Sequence, residues 1–341
     1  MQLDAIGLVK SFGPKLVLDQ VSFSARSGAA IGLLGRNGAG KTTTIRTIMN
    51  VFPPDEGQIL LDGKNLRHSQ TGIGYLPEEK GLYPKIKIGD QLVYLGELRG
   101  LSRKQAKANM QKWLERLDML DIVDKKLETL SKGNQQKIQL AVTLLADPQI
   151  VILDEPFSGL DPVNSQLLKD IVHEQVEDGK IVLFSSHQMN YVETFCDDIA
   201  LLHSGKIVLS GPIRDIKRSY ARNRIRIGLS PDRYTAGASA VLEDLRAKNR
   251  LPSSVTGLES ANGDCVVTLS DEKARGELLQ ALITAGLELE QFNIVEPTLE
   301  QIFVEKTGDV AVPEVDSDDT SEQKPGGKAA ATKKRKWGFR S

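Results

Sequence analysis

The sequence predicts an α/β fold built around a phosphate-binding loop, followed by a small α+β domain. Three observations predict it. A short apolar run, Ala30–Leu34, leads into a glycine cluster and then into a helix-forming stretch, Lys41–Asn50. That is the order strand, glycine-rich loop, helix. Ile150–Leu153 is an apolar run of the kind found in buried strands, and Ile181–Ser185 is another. Beyond about residue 220 the signals run strand, helix, strand, strand, helix, strand, the order of a ferredoxin-like unit.

Residues 1 to about 30 alternate apolar and polar side chains, with turn signals at Gly13-Pro14 and Ser27-Gly28, and read as strands and hairpins. Residues 85–148 read as mostly helical. Gln91–Arg99 and Ser102–Leu120 repeat apolar residues at three- and four-residue spacing. Ile199–Leu202 and Lys206–Leu209 form a hairpin around Ser204-Gly205. Arg224–Gly228 is then a strand and Ala236–Lys248 a helix. Val255–Glu259 and Cys265–Leu269 pair about Asn262-Gly263, a strong hairpin signal. Glu272–Ala285, Leu289–Ile294 and Thr298–Glu305 complete the set as helix, strand and helix. The expected domains are 1–220, with a helical subdomain at about 85–148, and 221–310. From 311 the chain turns acidic (Glu314, Asp316, Asp318, Asp319), then basic (Lys333-Lys334-Arg335-Lys336). Such a stretch buries too little apolar surface to fold, so 311–341 is expected to be a disordered tail.

Composition narrows the function. The 341 residues are 40% hydrophobic and 26% charged, ordinary for a globular protein. With 44 Lys and Arg against 45 Asp and Glu, no global attraction to nucleic acid is expected. Met1-Gln2-Leu3-Asp4 has neither the basic start nor the apolar run of an export signal. No apolar run approaches the ~20 residues of a membrane span, so any membrane role would pass through a partner. Cys196 and Cys265 lie far apart without CxxC spacing, which suits a reducing compartment. The histidines, His68, His173, His187 and His203, lack metal-ligand spacing.

The chemistry concentrates in two segments. Gly35-Arg36-Asn37-Gly38-Ala39-Gly40-Lys41-Thr42 fits the pattern G-x-x-x-x-G-K-[ST]. Its glycines permit positive φ, so successive N–H groups can turn inward as an anion nest. The helix that follows adds the positive end of its dipole. Lys41 suits the β- and γ-phosphates of ATP, and the Thr42 hydroxyl suits Mg²⁺. The second segment is the strand Ile150–Leu153, which ends in Asp154-Glu155. Ligands of open α/β sheets gather at such strand ends. Asp154 can hold Mg²⁺ through water, and Glu155 can orient or deprotonate an attacking water. Two solvated acids would be the plain reading of an isolated strand end; the phosphate loop argues for the other.

At this point the residues resemble the ABC ATPase family. Leu130-Ser131-Lys132-Gly133-Asn134-Gln135-Gln136-Lys137 is similar to its LSGGQ signature and lies upstream of Asp154-Glu155. Ser158-Gly159-Leu160-Asp161 resembles the D-loop, His187 the switch histidine, and Phe12 the aromatic that stacks on adenine. The resemblance covers roughly residues 1–220. It implies a P-loop NTPase of ABC type that binds ATP and Mg²⁺, with Phe12, Gly35, Asn37, Gly38, Gly40, Lys41, Thr42 and Thr43 about the nucleotide. Glu78, at the coupling-loop position of Tyr75-Leu76-Pro77-Glu78, joins Thr42 and Asp154 about the metal. Glu155, His187 and Lys41 are the catalytic set. The resemblance also implies a head-to-tail dimer, homo- or heteromeric. In it Ser131, Gly133 and Asn134 of one subunit close the loop of the other. Taken singly, Ser131 is an ordinary helix cap and Phe12 an ordinary core aromatic.

Two departures stand out: Lys132 and Asn134 replace the usual Gly and Gln, and Glu78 replaces the usual Gln. Y-L-P-E, Gly81-Leu82-Tyr83 and a C-terminal extension resemble the NatA-like branch of sodium and drug exporters. An ATPase subunit powering a separate integral-membrane permease is therefore expected, peripheral on the cytoplasmic face of the cell membrane. Glu78–Pro84 and the helices of 85–130 are the expected docking groove, with Leu82 and Tyr83 as contacts; local core packing is the competing reading of those two. The alternative function is a soluble ABC ATPase acting on ribosomes or nucleic acid. Against it, the chain has one ATPase half, and the interval from 41 to 131 is too short for the coiled coils of DNA-repair members. Intact Lys41, Asp154, Glu155 and His187 argue against a degenerate binder.

Overall fold

The computed structural model describes residues 1–308 apart from Lys80, Gly159, Ala221 and Arg222. The predicted tail, and Gly159 of the predicted D-loop, lie outside the described residues. The chain opens with β1 (Gln2–Phe12), β2 (Lys15–Arg26), β3 (Ala29–Leu34), α1 (Lys41–Ile48), β4 (Glu56–Leu61), β5 (Lys64–Asn65) and β6 (Ile73–Leu76). Helices α2 (Ile88–Leu98), α3 (Arg103–Arg116) and α4 (Lys132–Leu144) follow. Then come β7 (Ile150–Asp154), α5 (Pro162–Glu177), β8 (Ile181–Ser186), α6 (Met189–Phe195), β9 (Asp198–His203), β10 (Lys206–Pro212) and α7 (Ile213–Ser219).

Two sheets enclose the first core. β2-β1-β4-β5 is antiparallel, and β10-β9-β3-β8-β7-β6 is parallel except for its edge strand β10. β3, β7 and β8 are buried along their whole length, as strands covered on both faces must be. Their side chains alternate between two apolar layers. Ile150 and Ile152 face the layer shared with the antiparallel sheet. Val151 and Leu153 face the layer filled by the helices.

The third sheet is made of β11 (Arg224–Leu229), β12 (Val255–Ala261), β13 (Asp264–Leu269) and β14 (Leu289–Ile294). With α8 (Gly237–Ala247) and α9 (Arg275–Thr284) between them, the strands lie in the order β12-β13-β11-β14, every neighbour antiparallel. That is the ferredoxin-like arrangement the element order predicts. Its core is separate: Ile225, Ile227, Leu242, Val267 and Leu278 pack among themselves. The last helix, α10 (Leu299–Thr307), leaves that sheet and buries Leu299, Ile302 and Phe303 in the helical layer of the first core.

Three boundaries differ from expectation, each for a backbone reason. The helix expected over Lys41–Asn50 stops at Ile48, and Asn50 takes a left-handed φ of 55°. The helix expected to reach Leu120 stops at Arg116, because Asp118 turns left-handed (φ 55°) and Leu120–Ile122 winds into a 3-10 turn. The expected Glu272–Ala285 helix begins as a 3-10 turn capped by Asp271, and α9 proper starts at Arg275.

Candidate functional site

Strand order assembles the site. β3, β8 and β7 are adjacent and parallel, so their carboxyl ends lie side by side. Residues 35–40 follow β3, His187 follows β8, and Asp154 ends β7. Three segments far apart in sequence thus meet at one edge of the sheet, where an open α/β fold binds its ligand.

The phosphate loop needs its glycines. Gly35, Gly38 and Gly40 have φ of 156°, 81° and 113°. A Cβ on Gly35 would come within 2.4 Å of the Leu202 carbonyl oxygen, and one on Gly40 within 2.9 Å of Leu18 Cδ2. The second contact packs the loop against β2, the strand whose hairpin with β1 carries Phe12. Lys41 is only 6% exposed, and its Nζ donates to the Gly35 carbonyl at 2.7 Å. Thr42 and Thr43 follow it in the first turn of α1, while Asn37 lies exposed on the loop.

The acids take different roles. Asp154 is buried and accepts hydrogen bonds on both oxygens, from Ser185 Oγ on Oδ1 and from the Tyr75 hydroxyl on Oδ2 at 3.3 Å. Burial first, then the Asp154 charge and this hydrogen bond, push the Tyr75 hydroxyl up to about 12; nearby Arg46 opposes the shift. Tyr75 therefore stays a donor throughout the ordinary pH range. Glu155 is also buried, yet sits at the left-handed φ of 49°. Such a conformation costs on the order of 1–3 kcal/mol in a non-glycine residue. Its amide donates to the carbonyl (3.1 Å) and hydroxyl (3.2 Å) of Ser185, which hold it there. Glu155 Oε2 meets His187 Nδ1 at 2.9 Å. Oε1 lies 3.3 Å from Lys41 Nζ but accepts no hydrogen bond among the described residues. Lys41, Glu155 and His187 therefore form one cluster. It holds a buried carboxylate oxygen that can still accept a hydrogen bond.

Among the described residues, Ser131, Gly133, Asn134, Phe12 and Glu78 share no hydrogen bond or ion pair with that cluster. Ser131 caps α4, accepting from the Asn134 amide at 3.4 Å, as an ordinary helix cap does. A Cβ on Gly133 would lie 3.1 Å from Asn164 Nδ2, on α5 just past the D-loop. Phe12 is 47% exposed and meets Phe52 edge-on at 5.2 Å, so it is not a core aromatic. Glu78 is exposed just past β6. Leu82 packs partly on the helical core, whereas the Tyr83 ring is 52% exposed. Core packing thus accounts for Leu82 and not for Tyr83.

Sequence reasoning missed the groups that hold the acids. Ser185 is Asp154's register partner across β7 and β8, a relation visible only once strand order is known. Gln136, Gln139 and Thr143 lie on one face of α4. They bond the Pro156 carbonyl (2.7 Å), the Glu79 carbonyl (3.0 Å) and the Tyr75 carbonyl (3.2 Å). The helix that starts at the signature is thereby tied to both acid-bearing strand ends. The three polar side chains share a helix face in the sequence, but their carbonyl partners leave no mark there.

A glycine-walled loop beside a buried Lys–Glu pair that an exposed histidine joins defines a P-loop nucleotide hydrolase. Known proteins narrow that class. Residues 18–158 match the ABC transporter family, and residues 211–307 match the C-terminal domain of DrrA1-3-like ATP-binding proteins. The ABC transporter ATP-binding protein YhaQ of Bacillus subtilis is 40% identical over 305 residues, 89% of this chain and 97% of its own. The linearmycin resistance ATP-binding protein LnrL of the same organism is 30% identical, over 90% of this chain and 98% of its own. The ABC transporter ATP-binding protein NatA, also of B. subtilis, is 35% identical over 58% of this chain and 83% of its own. A solved ATP-binding subunit of an ABC transporter superposes with a TM-score of 0.59 at 30% identity, covering 64% of this chain and 93% of that one. The chain belongs to the ATP-binding subunits of ABC transporters. It is an ATPase that binds ATP with Mg²⁺, dimerises and works with a membrane permease. Among the described residues no helix is long and apolar enough to cross a membrane.

Proposed function

We propose that the chain powers export, as the ATPase of a transporter of the NatA-like branch. The relative named for linearmycin resistance supports that direction. The single observation that carries the site is the buried Lys41–Glu155 pair, joined by the exposed His187, at the ends of adjacent parallel strands. The division of labour we infer is 1–220 for the ATPase, with its helical subdomain at about 85–148, and 221–310 for the accessory domain.

In this reading Gly35, Asn37, Gly38, Gly40 and Thr43 cradle the phosphates with backbone and side-chain donors, and Lys41 exchanges Glu155 for a phosphate oxygen. Phe12 stacks on the base. Thr42, Glu78 and Asp154 would hold Mg²⁺, which when bound neutralises charge on the β- and γ-phosphates. Asp154 fits that role: its two hydrogen bonds keep it an oriented acceptor. Glu155 fits its own: the undonated Oε1 can take the proton of the attacking water. His187 steadies that carboxylate and the transition state. Ser131, Gly133 and Asn134, at the start of α4, complete the site of a second ATPase subunit, the same chain or another, head to tail. Closure of the dimer excludes water from a site whose catalysis is mostly positioning and charge.

The exposed Tyr83, Ile86, Tyr94 and Leu98 support docking of the permease on the segment before α2 and on that helix, at the cytoplasmic face of the membrane. Tyr94 and Leu98 are four residues apart and share one helix face. The test uses the tagged Glu155→Gln chain, purified with Mg-ATP from gently solubilised native membranes. The variant slows hydrolysis about 10²–10⁴-fold and holds the closed dimer. A stoichiometric integral-membrane partner is the expected result. Ribosomal proteins or nucleic acid, with nothing from the membrane, would overturn the transport reading and leave the ATPase standing.

A further inference from the structure

We propose that α10 is a positioning element of the nucleotide site, acting on the phosphate loop through Phe303 and on the segment after His187 through Glu193. The proposal rests on reading residues 35–42 as that loop. The guanidinium carbon of Arg36, the loop's second residue, lies 5.5 Å from the centre of the Phe303 ring, within cation–π range. The same ring meets His203 edge-on at 6.1 Å. His203 ends β9 directly after Leu202, whose carbonyl walls Gly35. Phe303 therefore sits where the phosphate loop leaves the sheet.

The other end of α10 reaches α6. Thr298 caps the helix, and the Leu299 amide donates to one carboxylate oxygen of Glu193 on α6. Lys217 Nζ holds the other oxygen at 3.2 Å. A carboxylate at a helix N-terminus is favoured by the helix dipole as well as by the bond. α6 begins at Met189, two residues past His187. One short helix thus touches the loop that holds phosphate and the element that follows the catalytic histidine.

Packing alone does not require this arrangement. Leu299 and Ile302 already anchor α10 in the helical core. Any apolar side chain at 303 would extend that anchor, but only an aromatic face attracts the Arg36 guanidinium. Because α10 directly follows β14, its docking gives the C-terminal domain a physical route to the nucleotide without a contact of its own.

The test measures equilibrium ATP binding by the full chain, with thermal unfolding as the check on folding. Phe303→Leu should weaken ATP binding about two- to tenfold, and Phe303→Tyr should restore it. Arg36→Ala should weaken binding to a similar degree. The Arg36→Ala/Phe303→Leu double variant should be no worse than the weaker single, since both act through one contact. A Phe303→Leu chain with a lowered unfolding temperature and unchanged ATP affinity would overturn the proposal. So would Phe303→Tyr behaving as Phe303→Leu, or additive losses in the double variant. Arg36 is exposed, so Arg36→Ala keeps the test open if Phe303→Leu does not fold; unchanged affinity there overturns the proposal by itself. Lys41→Ala separates the two failures. Wild-type ATP binding by that variant sinks the phosphate-loop reading, whereas its loss with Arg36→Ala unaffected sinks only the role of α10.

Discussion

The six-stranded sheet and the C-terminal four-stranded sheet use the same residue types to different ends. In the first, five parallel neighbours bring their carboxyl ends to one edge, so the segments after β3, β7 and β8 converge and set Lys41, Asp154, Glu155 and His187 together. In the second, every neighbour is antiparallel, so successive strand ends fall on alternate edges. Among the described residues, its hairpin turn at Asn262-Gly263 and its helix caps gather no comparable set of acids and bases. The parallel sheet must be covered on both faces to exist, and that cover makes the buried surroundings in which Glu155 and Lys41 work. The antiparallel sheet makes a stable module without them. Parallel topology is therefore what converts scattered motifs into a site here, and the helix that leaves the second sheet packs in the first core.

The largest effect that would break this contrast lies in the accessory core. Leu278 is fully buried there. Leu278→Ala should destabilise by about 2–5 kcal/mol, through lost burial and the cavity left behind. Denaturant unfolding of the chain should show that loss while ATP affinity of the folded protein stays unchanged. A parallel fall in affinity would mean the two cores are one energetic unit. A smaller effect sharpens the comparison on the other side. Ser185→Ala removes a donor from Asp154 and one acceptor from the Glu155 amide. Removing such an outer partner should weaken the Mg²⁺ dependence of ATP hydrolysis by about 10- to 100-fold. An unchanged Mg²⁺ titration would show that register between β7 and β8 does not set the acid's orientation.

What the sequence disclosed follows the same division. The phosphate loop was legible because its eight residues are consecutive and its glycines have one physical use. Asp154-Glu155 was legible because it ends an apolar strand. The ferredoxin-like order was legible because turn chemistry at Asn262-Gly263 fixed one hairpin and left few arrangements for the rest. Ser185 was not, because its role is a matter of strand register. Neither was the stripe Gln136, Gln139 and Thr143, whose partners are backbone carbonyls that no side-chain pattern announces. The contact between Arg36 and Phe303 joins opposite ends of the chain, and nothing local to either residue points to the other. Helix ends were misplaced where Asn50 and Asp118 turned left-handed, a conformation these residue types tolerate but do not require.

In the proposed dimer a complete site needs two chains, since no hydrogen bond or ion pair among the described residues joins Ser131 or Gly133 to the cluster around Lys41. Two inactive variants, Lys41→Ala and Ser131→Arg, test it most directly when their ATPase activity is measured separately and after mixing. In a head-to-tail dimer the Ser131→Arg chain supplies an intact phosphate loop and the Lys41→Ala chain an intact signature, so one site of the mixed pair is whole. Activity should return on mixing. If the mixture stays as inactive as its components while the two chains still associate, each site is built within one chain, and the account of the dimer is contradicted.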